Sequence, residues 1–162
     1  MQVVEILDHH VDMDQHLTAR KRDVAFADGK ALVASTCTLV AERLENVEQH
    51  CAYKVVSTML LGVIALDSVN FGPMTPRDVN AAQKLEETAF GKKEELFRWL
   101  QAEKFNSDHW RGFTSKNCLQ VDLKKFVFAS SDSVAKKFGI STVLIDLKAF
   151  LYKAGNADML CK

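Results

Sequence analysis

Val3-Val4-Glu5-Ile6-Leu7 forms a short, β-branched and nearly unbroken apolar run. That pattern suits a buried strand better than a helix. Asp8 stops it, and a polar stretch follows from Asp12 to Lys30. Within this stretch Asp28-Gly29 marks a turn, after which Ala31-Leu32-Val33-Ala34 reads as a second short strand. Ser35 stands as an N-cap ahead of a helix over Thr36 to Asn46, where Leu39, Val40, Arg43 and Leu44 recur at helical spacing. Gln49 to Leu66 reads as a mostly buried helix that ends near Asp67-Ser68-Val69-Asn70, and Gly72-Pro73 then breaks the chain. Thr75-Pro76-Arg77-Asp78 opens the next helix, with Thr75 as N-cap and Pro76 at the first helical position, running to about Ala89. Lys92 to Lys104 follows as an amphipathic helix with Leu96, Trp99 and Leu100 on one face. Asn106 to Thr114 is a polar connector. Beyond it come a short helix, an apolar strand over Gly139 to Ile145 and a final helix from near Asp146. Strand, helix and strand in this order predict an α/β fold. The composition shifts between about Phe71 and Phe113, which sets a domain boundary there.

Composition narrows the function classes. The chain has 162 residues and is 48% hydrophobic, enough to bury a core in one domain or two small ones. Lys plus Arg and Asp plus Glu are equal at 21 each, giving a formal net charge of +0. A neutral chain has no large footprint for duplex nucleic acid or an anionic membrane. The longest apolar run, Val55 to Leu66, is broken by Ser57, Thr58 and Gly62 and is too short for a membrane span. No signal-peptide core is visible at the N-terminus, so a cytoplasmic location is expected. Cys37, Cys51, Cys118 and Cys161 form no C-x-x-C pair and sit in apolar or helical contexts. They read as inert thiols in a reducing compartment. His16, His50 and His109 have no companion at ligand spacing and read as surface or structural residues.

Four groups of residues carry candidate chemistry. Asp8-His9-His10 follows the first strand directly, at its carboxyl end, where open α/β sheets bind ligands. Imidazole with carboxylate suits a divalent transition metal, and carboxylate with water suits Mg²⁺. The alternative is a surface turn with two solvated histidines. Asp67 closes a long apolar helix, where an ionised carboxylate beside a core needs hydrogen bonds or a metal; the alternative is a helix end facing water. Ser35-Thr36-Cys37-Thr38 puts free N–H groups at a helix start, as an anion site or an ordinary cap. Lys124 and Lys125 follow Asp122 in an otherwise apolar stretch, as phosphate contacts or a solvated face. No nucleophile elbow, Walker loop or dinucleotide fingerprint is present.

In order and spacing, several of these pieces are similar to a known family. Leu7-Asp8-His9-His10, Ser35 through Arg43, and Leu66-Asp67-Ser68-Val69-Asn70-Phe71 resemble the DHH phosphoesterase superfamily. Within it they look like the prune and exopolyphosphatase branch, related to the manganese-dependent family II inorganic pyrophosphatases. Thr75-Pro76-Arg77-Asp78, Lys84-Leu85-Glu86, Leu119 through Lys124 and Gly139 through Val143 continue the resemblance over nearly the whole chain. It implies the C-terminal half of a parallel-sheet DHH domain over 1–72, a helical linker over 73–112, and the beginning of a smaller α/β associated domain over 113–162. It also implies a two-metal site, using Mn²⁺ or Mg²⁺, that hydrolyses phosphoanhydride bonds in pyrophosphate or short-chain inorganic polyphosphate. Carried over, His9 ligates a metal, His10 ligates it or touches phosphate, and Asp67 ligates the same ion. Asp8 orients the histidines, Lys124 contacts phosphate from the second domain, and Arg43 serves structure.

The chain also departs from that pattern. The family carries an Asp-x-Asp strand and a second Asp motif upstream of the triplet, which here begins at residue 8. The associated domain normally extends beyond Lys162. Gln120 replaces a basic residue, and His10 stands where many vertebrate prune proteins carry Arg. The resulting expectation is a truncated form that binds metal weakly or as a single ion, with reduced or no activity. The alternative is a non-catalytic form that binds a protein partner. A nuclease of the same superfamily is disfavoured by the neutral charge and the lack of aromatics beside basic residues.

Overall fold

The computed structural model describes residues 2–44, 52–70, 72, 74–129 and 135–153. Asn46, the start of the helix expected from Gln49, His50, Cys51, Phe71, Pro73 and Cys161 lie outside them. The chain divides into two compact units, Met1–Gln101 and Ala102–Lys162. Helix and strand both contribute, consistent with the α/β expectation. No described helix is long and apolar enough to cross a membrane.

In the first unit β1 (Glu5–Asp8) pairs in parallel with β2 (Lys21–Val24), Glu5 opposite Lys21 and Asp8 opposite Val24. β2 falls within the polar stretch from Asp12 to Lys30, where no strand is expected from the sequence. Its charges fit a strand because alternate residues differ in exposure: Lys21 and Asp23 are exposed, Arg22 and Val24 half-buried. Parallel strands need a long connection. Here it is the segment 9–20, which carries His9 and His10 and is clamped by Arg22, whose guanidinium lies 2.7 Å from both Asp12 oxygens. β3 (Phe26–Ala27) and β4 (Lys30–Ala31) form an antiparallel pair about Asp28-Gly29. Both turn residues have positive φ, 52° and 73°, which an Asp-Gly hairpin turn requires. The strand expected over 31–34 ends at Ala31. Leu32 N–H donates back to the Ala25 carbonyl at 2.8 Å, and Val33 turns inward to 1% exposure.

Three helices, α1 (Thr36–Leu44), α2 (Ala52–Asp67) and α3 (Pro76–Glu86), build the main core. Ala41, Leu60, Leu61, Ile64, Ala81, Ala82 and Leu85 interlock there. α4 (Lys93–Lys104) brings Leu100 so close to α2 that a Cβ on Gly62 would meet its methyl at 2.7 Å. That approach accounts for a glycine inside an apolar helix. A smaller cluster of Ala25, Val33 and Leu39, with Leu7 packed against it, supports the end of β1. Arg43 of α1 pairs with Glu5 of β1 and, at 3.1 Å, with Asp23 of β2.

The second unit contains a 3-10 turn (Ser107–Trp110), α5 (Ser115–Val121), β5 (Leu123–Ala129), β6 (Ala135–Ser141) and α6 (Leu147–Leu151). β5 and β6 pair antiparallel, Leu123 opposite Ser141. The strand expected over 139–145 therefore lies earlier, and Val143, Leu144 and Ile145 fall outside it. The Ser141 hydroxyl donates to the Leu119 carbonyl at 2.6 Å, and Asp146 caps α6 by accepting from Ala149 N–H at 2.9 Å.

Candidate metal centre

β1 delivers Asp8 and the two histidines at its carboxyl end. Asp8, His9 and His10 each offer a ligand atom, and these atoms lie within 4.8 Å of one another. The two rings meet edge to face at 4.3 Å between centroids. Asp8 organises the turn. Its Oδ1 accepts from His9 N–H at 2.7 Å, from His10 N–H at 3.2 Å and from His10 Nδ1 at 2.8 Å. Burial raises the Asp8 carboxyl, but the hydrogen bonds from the His10 ring and from the His10 and His9 backbone outweigh it and hold the group below its ordinary value.

The ring nitrogens are set by their partners. His9 Nδ1 faces the Val33 carbonyl at 3.0 Å. A carbonyl only accepts, so Nδ1 carries the proton and Nε2 keeps a lone pair. His10 Nδ1 faces the Asp8 carboxylate, again an acceptor. Both histidines thus engage Nδ1 and leave Nε2 for a ligand, the usual arrangement at metal-binding histidines. Two imidazoles and one carboxylate are a donor set that suits a divalent ion. His9 is half-buried, whereas the His10 side chain is 74% exposed.

Asp67 sits at the last residue of α2. Its Oδ2 accepts from the Ser35 hydroxyl at 2.6 Å, and Ser35 Oγ accepts from Cys37 N–H at 3.2 Å. Ser35, fully buried, therefore caps α1 and holds Asp67 at once. The Ser-Thr-Cys segment, two residues past the carbonyl that meets His9, is thus tied to the end of α2. α2 stops because Val69 and Asn70 adopt left-handed backbone, φ 49° and 59°. For a β-branched residue this is strained, and it lies two positions from Asp67. The triplet forms one cluster, and Asp67 is anchored through Ser35 rather than through the triplet. Lys124 lies in the second unit on β5, its Nζ 3.7 Å from Asp122 Oδ1, both exposed enough to be solvated. Cys37 is half-buried and Cys118 fully buried. Burial pushes the Cys37 thiol above its ordinary value, as an inert thiol requires.

Asp78 is the residue that pattern reading missed. It is 0% exposed. It accepts from Ala34 N–H, from the Thr38 hydroxyl at 2.6 Å, and from Thr75 N–H and hydroxyl at 2.9 and 2.7 Å. Only its role in the Thr75 capping box has a local signal, an Asp three residues after a Thr cap.

No family model matches the chain. It is similar to curated exopolyphosphatases. It is 31% identical over 158 residues to exopolyphosphatase PRUNE1 of Homo sapiens, covering 94% of this chain and 32% of that protein. The corresponding Mus musculus protein is 31% identical over 157 residues, 93% of this chain and 32% of the relative. The Bos taurus protein is 30% identical over 159 residues, again 94% and 32%. The chain therefore spans about a third of the length of the curated relatives it matches, and the likeness runs over nearly all of its own length.

Proposed function

We propose that this chain carries a divalent-metal-dependent phosphohydrolase site of the prune and exopolyphosphatase type, directed at phosphoanhydride bonds of pyrophosphate or short-chain inorganic polyphosphate. The observation that carries the reading is the clustering of Asp8, His9 and His10 within 4.8 Å with both ring Nδ1 atoms engaged. The similarity to proteins named exopolyphosphatase PRUNE1 supplies the reaction class. Bound Mn²⁺ or Mg²⁺ would supply water activation and charge neutralisation at the attacked phosphoryl group. His9 and His10 present Nε2 to the ion, and His10, being exposed, also reaches a phosphate oxygen. Asp8 fixes the turn and orients the His10 ring. Asp67, steadied by Ser35 through Oδ2, adds a carboxylate ligand through its other oxygen. Lys124, on β5, is a candidate phosphate contact by resemblance to the family. Among the described residues the cluster holds three donors, which suits one ion, so slow turnover is expected.

Phosphate release from tripolyphosphate and pyrophosphate, with Mn²⁺ or Mg²⁺, tests this against a His9→Ala, Asp67→Ala double variant. Metal-dependent release above the double variant is expected. Release equal to it sinks hydrolysis, and calorimetric Mn²⁺ binding that survives in the wild type would then favour a non-catalytic metal-binding role.

A further inference from the structure

Asp78 stands forty-four positions from Ala34, yet both carboxylate oxygens lie 3.0 Å from the Ala34 N–H. A carboxylate buried this completely is tolerated only when its lone pairs are engaged, and here the engagement reaches beyond its own helix cap. Burial raises the Asp78 carboxyl, but the hydrogen bonds from Thr38, Thr75 and Ala34 outweigh it and hold the group below its ordinary value, so it is an anion at neutral pH. The Ala34 N–H belongs to the same peptide unit as the Val33 carbonyl, and that carbonyl is the partner of His9 Nδ1 at 3.0 Å. One rigid, planar amide therefore has a buried carboxylate at its N–H end and His9 at its oxygen end.

We propose that Asp78 is a positioning residue that acts through the Val33–Ala34 peptide to hold His9 in the Nδ1–H tautomer, with Nε2 presented to a metal. A negative charge against the N–H polarises the amide and strengthens its oxygen as an acceptor, because hydrogen bonds in a chain reinforce one another. Metal-binding histidines commonly donate Nδ1–H directly to a carboxylate or a carbonyl. Here a carboxylate reaches the ring through a carbonyl, with one peptide between them. The same carboxylate also binds the Thr38 hydroxyl on α1 and Thr75 at the start of α3. The identification of His9 as a metal ligand rests on the proposed function; the tautomer and its dependence on Asp78 do not.

The test is ¹⁵N NMR of the His9 ring in the metal-free full chain at mildly alkaline pH, with calorimetric Mn²⁺ titration of the same samples. The wild type is expected to show the Nδ1–H tautomer. Asp78→Asn is expected to mix in the Nε2–H tautomer and to weaken Mn²⁺ binding roughly 10-fold. Thr38→Val is the control, since it removes one hydrogen bond to the same carboxylate and lowers stability but leaves Ala34 N–H in place. It is expected to leave tautomer and affinity unchanged. An Nε2–H tautomer in the wild type overturns the proposal even if the Asn variant fails to fold. An unchanged tautomer in a folded Asn variant, or equal losses of affinity in both variants, also overturns it. A chain that releases no phosphate but shows the Asp78-dependent tautomer would sink the hydrolase reading alone.

Discussion

The two units of this chain solve the problem of burial differently. In the first, three helices bury Leu61 and Ile64 completely, and polar side chains distant in sequence tie the elements together: Asp78 to residues 34 and 38, Arg77 to Glu42, Arg43 to Glu5 and Asp23. In the second, the described interior consists of Trp110, Ser115 and Cys118, while Phe126, Val127, Phe138 and Ile140 on the β5–β6 pair are exposed. Phe126 and Phe138 stack on each other at 5.1 Å between centroids and still face solvent. The candidate metal site belongs to the unit whose polar groups are buried and held. That is where a catalytic or binding constellation can be kept within the tolerance that chemistry demands.

The sharpest way to break this comparison is to remove one large side chain from each unit. Leu61→Ala leaves a cavity in a helical core with 0% exposure at that position and should cost about 2–5 kcal/mol. Phe126 is 41% exposed, and Phe126→Ala should cost under about 1 kcal/mol. Urea denaturation followed by circular dichroism measures both. Similar losses would mean that the second unit's apolar strand is protected in solution, and the contrast would fall.

Acid gives the next largest effect. Asp78 is held below its ordinary value of 3.8. The unfolded chain therefore takes up that proton first as pH falls. The stabilisation from Asp78 is complete above about 3.8 and is lost as pH drops through its lower folded value. Asp78→Asn should be the less stable protein at neutral pH, and the gap to wild type should close below that range. In the second unit Glu103 is also held low, chiefly by its hydrogen bond to His109, but both side chains are exposed. Glu103→Gln should change acid stability little, and added salt should erase what remains. Denaturation midpoints at stepped pH decide the matter. A salt-insensitive Glu103→Gln effect would place a protected ion pair in the second unit.

Much of the first unit was legible because its signals are local. The β-branched run before Asp8, the Asp28-Gly29 turn, Ser35 ahead of α1 and Thr75-Pro76 ahead of α3 each act within a few residues. β2 was not legible. Its four residues, Lys-Arg-Asp-Val, have no apolar run, and they form a strand because β1 and Arg43 meet them from elsewhere in the chain. β6 was displaced for the opposite reason. The apolar Val143-Leu144-Ile145 outweighs two lysines in a simple pattern, yet pairing with β5 starts at Ala135. Among the candidate residues, the triplet and Asp67 stand out by residue type. Asp78 gave only its cap signal, since its bonds to Ala34 and Thr38 span 44 and 40 positions.

The smallest effect compares one motif in its two settings. Both units contain a capping box opened by threonine, Thr75 with Asp78 and Thr114 with Asn117. Removing a cap hydroxyl typically costs about 1 kcal/mol. Thr114 and Asn117 are exposed, so water replaces the lost partner, and Thr114→Ala should fall at or below that figure. At Thr75 the partner is a fully buried carboxylate that loses the hydroxyl donor at 2.7 Å. Asp78 is 0% exposed, and an unsatisfied buried charge adds a penalty beyond the cap itself. Thr75→Ala should therefore cost roughly twice as much as Thr114→Ala, and Thr75→Ser should restore most of the loss because it keeps the hydroxyl. Equal costs for the two alanine variants would show that Thr75 acts as an ordinary cap. The burial of Asp78 would then rest on the Thr75 N–H, Ala34 and Thr38, of which the last two join it to the segment carrying Ser35 and to the carbonyl facing His9.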